Sequence, residues 1–121
     1  MSVTIPDSVT SIEADLFSMC SSLKSVAVPD SVTLIGPGAF HECSALTSVT
    51  IPNGITSIYE YTFTVCSALT SIIIPDSVTH IRNYSFNKRR SLTSVIIGNG
   101  ISFIFQTSGL KPPPLGGNYF Q

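Results

Sequence analysis

The sequence predicts a β-rich solenoid of four to five coils, on three observations. A short phrase recurs: Ile5-Pro6-Asp7-Ser8-Val9-Thr10, Val28-Pro29-Asp30-Ser31-Val32-Thr33, Ile51-Pro52-Asn53-Gly54-Ile55-Thr56 and Ile74-Pro75-Asp76-Ser77-Val78-Thr79. Its prolines stand 23 residues apart, and a period of roughly 20–50 residues is the mark of stacked repeats. Apolar residues also recur at the same offsets in every copy. No copy can bury these side chains alone, so neighbouring copies must stack on one another.

Each element of the repeat follows from its residues. Leu23, Leu46, Leu69 and Leu92 form one apolar column. Val26, Val49, Ile72 and Val95 form the next, and Val28, Ile51, Ile74 and Ile97 a third. The alternation in Val26-Ala27-Val28 has period two, which describes a strand with one buried face. Pro29 ends that strand because proline has no N–H for a ladder. Pro-Asp-Ser and Pro-Asn-Gly then supply turn chemistry. A second apolar pair follows, Val9/Ile12 and its copies Val32/Ile35, Ile55/Ile58, Val78/Ile81 and Ile101/Ile104. Phe17, Phe40, Phe63 and Phe86 come next in a less regular stretch, and Cys20, Cys43 and Cys66 close the coil. Equivalent strands are expected to run parallel, roughly 4.8 Å apart. The last copy, Ile97-Gly98-Asn99-Gly100-Ile101-Ser102, has glycine in place of proline, and the register fails after Ile104.

The pattern Leu-x-x-Ile-x-Ile-Pro-x-x-Val-x-x-Ile, followed by Ala39-Phe40 and Cys43, resembles the BspA-like class of leucine-rich repeats over residues 2–104. The resemblance implies a right-handed coil with a parallel sheet on its concave face. It also implies a surface or secreted protein, since similar proteins are often adhesins of bacteria and protozoan parasites that bind host proteins. The chain divides into a solenoid over 1–104, a degenerate Pro-rich segment over 105–117, and residues 118–121, which resemble what a cleaved engineered tag leaves behind. Lys111-Pro112-Pro113-Pro114 cannot continue the coil and is expected to lie across its end as a partial cap.

Composition narrows the function. The 121 residues are one domain's worth, and 11% are charged against roughly 25% in ordinary globular chains. A net charge of −1 supplies no basic field for nucleic acid. No run of about 18 apolar residues suggests membrane insertion, and no basic-then-apolar leader is visible. Charge is unevenly distributed, however. Through Glu60 six acids face Lys24 alone; beyond it Asp76 is the one acid against Arg82, Lys88, Arg89, Arg90 and Lys111. Position maps to height in a solenoid, so the axis should be acidic at its first coil and basic at its last.

Reactive residues are explained first as structure. Cys20, Cys43 and Cys66 share one repeat position and read as a column of small buried thiols. A disulfide between neighbouring coils is the alternative, and a metal site fits less well because a column does not converge. In the fourth copy Arg89 stands in the cysteine slot, within Lys88-Arg89-Arg90, either as a charged bend or as a basic docking patch. Asp7, Asp30, Asn53, Asp76 and Asn99 also stack, and turn shaping suits them better than calcium. His41 and His80 fall at different repeat positions, outside any nucleophile–base motif. No phosphate loop appears. The reading is therefore a non-enzyme without cofactors. Asn83-Tyr84-Ser85 matches a glycosylation sequon, a pattern that chance also produces.

What remains is surface. If Val26 and Val28 point inwards, the outward columns are Ser2, Ser25, Ser48, Ser71, Ser94 and Thr4, Ala27, Thr50, Ile73, Ile96. The second column becomes apolar towards the C-terminus, where Tyr59, Tyr61, Tyr84 and Phe103 also occur. Candidate protein-binding residues are Ser48, Thr50, Ser71, Ile73, Ser94 and Ile96. The partner is either another protein or a second copy of the chain. For self-association, Val3 and Ile5 at an uncapped first coil would meet Lys88, Arg89 and Arg90 at the last, giving a homo-oligomer or filament. An ice-binding Ser/Thr surface is a third possibility, weakened by Ile and Ala within the columns.

Overall fold

Each turn of the chain lays down two strands, a longer one and a two-residue one, directly beside those of the turn before. The computed structural model describes residues 2–86, 94–101, 103–104 and 118–119. The long strands are β1 (Ser2–Thr4), β3 (Ser25–Ala27), β5 (Ser48–Thr50), β7 (Ser71–Ile74) and β9 (Ser94–Ile97). The short ones are β2 (Ser11–Ile12), β4 (Leu34–Ile35), β6 (Ser57–Ile58), β8 (His80–Ile81) and β10 (Phe103–Ile104). Strand β11 (Asn118–Tyr119) follows. Among the described residues no helix is long and apolar enough to cross a membrane.

Pairing follows the sequence period. Ser2 pairs with Ser25 and Ser25 with Ser48, in parallel; Ser71 pairs with Ser94 in the same way. The expected alternation is present: Val26 and Val28 are buried, while Ala27 is exposed. Leu23, Leu46 and Leu69 are fully buried. Phe40, Phe63 and Phe86 are also inaccessible and, with Phe17, form a continuous stack. Their ring centroids lie 5.6, 5.7 and 5.3 Å apart, at interplanar angles of 9°, 3° and 18°. Offset stacking of near-parallel rings is a favourable arrangement.

The serines and threonines do more than solvate the surface. The Thr33 amide and hydroxyl both donate to the Thr10 carbonyl, and those of Thr79 to Thr56. Thr47 does the same to Lys24. Ser31 Oγ donates to Val9 O at 2.6 Å and Ser77 Oγ to Ile55 O at 2.7 Å. In the third copy Gly54 occupies the serine position and has no hydroxyl to donate. The short-strand ladder is interrupted at this junction, between β4 and β6. The long-strand ladder breaks one coil later, between β5 and β7, so the parallel sheet is not continuous.

The last copy of the phrase departs from the others with a structural gain. Gly98 N donates to Ile74 O at 2.8 Å, a bond that proline could not make. Strands β7 and β9 accordingly pair over four residues, against three for β1, β3 and β5. Strand β11 pairs antiparallel with β9, matching Asn118 to Ile96 and Tyr119 to Val95. Two of residues 118–121, expected from the sequence to be a tag remnant, thus pair along the edge of the sheet. Lys111–Pro114 lie outside the described residues.

The irregular side of the coil has a backbone rule of its own. Asp15, Gly38, Tyr61 and Tyr84 share one repeat position and have φ of 60°, 70°, 62° and 60°. Met19, Glu42 and Val65 share a second, at 62°, 57° and 60°. In the first three coils two left-handed residues turn this segment, one standing two residues before the Phe and one directly before the Cys. Only one of the seven is glycine, so the repeat tolerates local strain that stacking holds in place. Val65 is the clearest case, because a β-branched residue fits this region poorly. Val65→Asn is expected to raise stability by about 1 kcal/mol, read as a higher urea midpoint with an unchanged m-value.

Candidate functional site

The outward face of the long strands gathers most of the residues singled out from the sequence. Ser48, Thr50 and Ser71 are exposed. Ile73 is 64% and Ile96 47% exposed, both unusual for isoleucine. They are paired neighbours on β7 and β9, so they form one apolar step. Ser94 pairs with Ser71 through its backbone; its side chain lies outside the described residues.

The break between β5 and β7 gives this face its relief. A cleft of about 340 Å³ lies there, lined by Ser48, Val49, Thr50, Ser71, Ile72 and Ile73, with Asn53 and Pro75 at the corner. Val49 is only half-buried, whereas its equivalents Val26 and Ile72 are buried, so the break opens a way towards the core. A second cleft of about 440 Å³ follows along the corner, lined by Ile73, Ile74, Ile96 and Ile97 with Asp76, Gly98 and Asn99. Ile73 borders both. Such clefts can accept apolar side chains of a partner while the corner Asn and Asp groups offer hydrogen bonds. Sequence reasoning identified the strand residues as the binding face and read Asn53, Asp76 and Asn99 as a turn column, without assigning them or Pro75 to that face. Their position directly after each strand was the available signal.

The proposed end contacts are placed differently. Val3 is half-buried against the core and Ile5 is buried. Lys88, Arg89 and Arg90 lie outside the described residues.

The remaining candidates have structural partners. Cys20, Cys43 and Cys66 form a column in which no disulfide links them. Cys43 Sγ donates to Phe17 O and Cys66 Sγ to Phe40 O, tying each coil to the one before. Each cysteine carbonyl also accepts the amide of the leucine three residues later, forming the turn that starts the next coil. Asp7, Asp30, Asn53 and Asp76 are exposed within the Pro-x-x-Val or Pro-x-x-Ile turns; Asn99, exposed after Gly98, donates its amide to Asp76 Oδ1 at 2.7 Å. Among the described residues no group of three or more His, Cys, Asp or Glu side chains could hold a metal. His80 Nδ1 lies 2.9 Å from Thr79 Oγ1, and the His41 ring meets Tyr61 edge-on at 6.2 Å.

With this geometry the comparisons are specific. The BspA type leucine rich repeat region matches residues 1–108, in six copies. The chain belongs to the BspA-type leucine-rich repeat family. A leucine rich cell surface protein from Faecalibacterium prausnitzii is 34% identical, with a TM-score of 0.86 over 91% of this chain and 30% of its own. The leucine rich repeat protein of T. pallidum is 30% identical, with a TM-score of 0.81, over 85% of this chain and 50% of its own. The pneumococcal vaccine antigen PcpA is 27% identical, with a TM-score of 0.78, over 83% of this chain and 25% of its own. The chain therefore spans half or less of the length of these relatives. No curated protein matches it.

Burial of the cysteine column has a titration consequence. Burial, reinforced by neighbouring Cys20, pushes the Cys43 thiol up to about 11 from 9.0, against a smaller lowering by a backbone hydrogen bond from Cys20. The unfolded thiol ionises first, so the folded state binds more protons between these values and stability falls as pH rises. This contribution is expected to be intact below pH 9.0 and lost as pH passes about 11. Urea midpoints measured across that window should fall less steeply in Cys43→Ala than in the parent.

Proposed function

We propose that this chain is a non-enzymatic protein-binding module of a surface-located BspA-type protein, and that its partner seats on the long-strand face. The observation that carries the reading is the pair Ile73 and Ile96, exposed side by side above two adjoining clefts. Contiguous exposed apolar side chains on a rigid sheet suit a protein contact. Ser48, Thr50 and Ser71 form its polar rim, as in interfaces where an apolar centre carries most of the energy. A place at the cell surface is supported by the F. prausnitzii relative, described as a leucine rich cell surface protein, and adhesion would follow from protein binding there. Replacing Ile73 and Ile96 with Glu is expected to weaken partner binding about 30-fold or more, with circular dichroism unchanged. Undiminished binding by a folded double variant would refute the face.

A second reading, self-association into a homo-oligomer through the coil ends, is favoured by the lengthwise charge asymmetry. Among the described residues β1 has one strand neighbour, β3, so its other edge can accept a strand. Light scattering is expected to show mass rising with concentration and falling with salt. A strict monomer at high concentration and low salt would rule this out.

A further inference from the structure

A third cleft lies on the irregular side of the coils, away from the strand residues discussed above. It encloses about 430 Å³ and is lined by Ala14, Asp15, Pro37, Gly38, His41 and Tyr61. Its origin is a gap in a column. Asp15, Gly38, Tyr61 and Tyr84 have nearly the same left-handed φ, so equivalent side chains leave equivalent backbone in successive coils. Gly38 contributes no side chain. The Asp15 carboxylate leans into the gap, where a Cβ on Gly38 would come within 2.1 Å of Asp15 Oδ1. No described side chain donates a hydrogen bond to that carboxylate.

The other wall is aromatic. Tyr61 is 47% exposed. One face of its ring stacks on Tyr84 in the following coil, at 5.5 Å and 15°. From the coil of Gly38 the His41 ring meets Tyr61 edge-on at 6.2 Å. His41 closes the side, with Nε2 3.5 Å from Glu42 Oε1 and a buried Nδ1 that has no hydrogen-bond partner. An unpaired carboxylate and a half-exposed aromatic ring lining one cleft complement a planar cation, which can approach the ring and donate to the oxygens. The chain itself contains the same contact: the Arg82 guanidinium lies 5.4 Å from the centroid of the Tyr59 ring. The surrounding charge agrees, since up to Glu60 the chain has six acids against Lys24.

We infer that the Asp15–Gly38–Tyr61 cleft binds an arginine side chain presented by a partner protein. The test is a ¹⁵N-edited NMR titration of the full chain with a hexa-arginine peptide, with hexalysine and hexaglutamate as comparisons. Hexa-arginine is expected to shift the amides of Gly38, His41 and Tyr61 and to bind more tightly than hexalysine; hexaglutamate should shift none of the three. Asp15→Asn should weaken binding about tenfold, and Tyr61→Asn about threefold. Asn accepts the left-handed backbone at both positions, and unchanged spectra elsewhere would verify the fold. Equal binding of hexalysine would overturn the inference. So would shifts centred on Asp7 and Asp30 instead, or affinity unaffected by Asp15→Asn in a folded variant.

Discussion

The interaction on which the structure depends is the hydrogen bond between backbone groups about one repeat apart. On the strand side the later coil donates: Thr33 N to Thr10 O, Thr47 N to Lys24 O, Gly98 N to Ile74 O. On the irregular side the direction reverses, and the earlier coil donates: Phe17 N to Ala39 O, Phe40 N to Thr62 O, Phe63 N to Ser85 O. Each coil is held to its neighbour from both sides, so a buried backbone group finds its partner only if the adjacent coil is in place. That makes stability a property of neighbouring pairs and explains why the period stays at 23 while individual residues change.

The constraint separates two kinds of position. Phe17, Phe40, Phe63 and Phe86 occupy the inside of the coil, where one ring must stack on the next, and they do not vary. Two residues earlier in each coil stand Asp15, Gly38, Tyr61 and Tyr84, which differ in charge, size and polarity; Gly38 is buried and the other three are exposed. The backbone there is nearly identical in all four. Stacking thus fixes the frame and leaves its outer surface free to carry chemistry. On the long-strand face the same division separates buried Ile72 from exposed Ile73.

Irregularities in the repeat have unequal effects. Gly98 in place of proline lengthens the pairing of β7 and β9. Gly54 in place of serine removes a hydroxyl that elsewhere bridges two coils, at the junction where β4 and β6 are unpaired. The break between β5 and β7 turns a flat parallel sheet into a face with a cleft. The clefts of the long-strand face therefore arise where the repeat is imperfect.

The sequence by itself determined the repeat, the inward columns, the strand-to-turn corner and the outward Ser/Thr/Ile face. These were legible because a fixed period makes residues 23 apart spatial neighbours, and because strand alternation assigns each side chain to a face. Ile73 and Ile96 could be named as exposed for that reason alone. Only the tertiary structure decided where the ladders break, which hydroxyls bridge coils, and that the corner residues Asn53 and Pro75 line a cleft. It also decided the direction of Tyr61 and the lean of Asp15 over Gly38. These depend on φ values and on spacings of a few ångströms between coils, and neither periodicity nor composition specifies them. A non-glycine residue in the left-handed region leaves little trace in one sequence, because stacking, not local preference, holds it there.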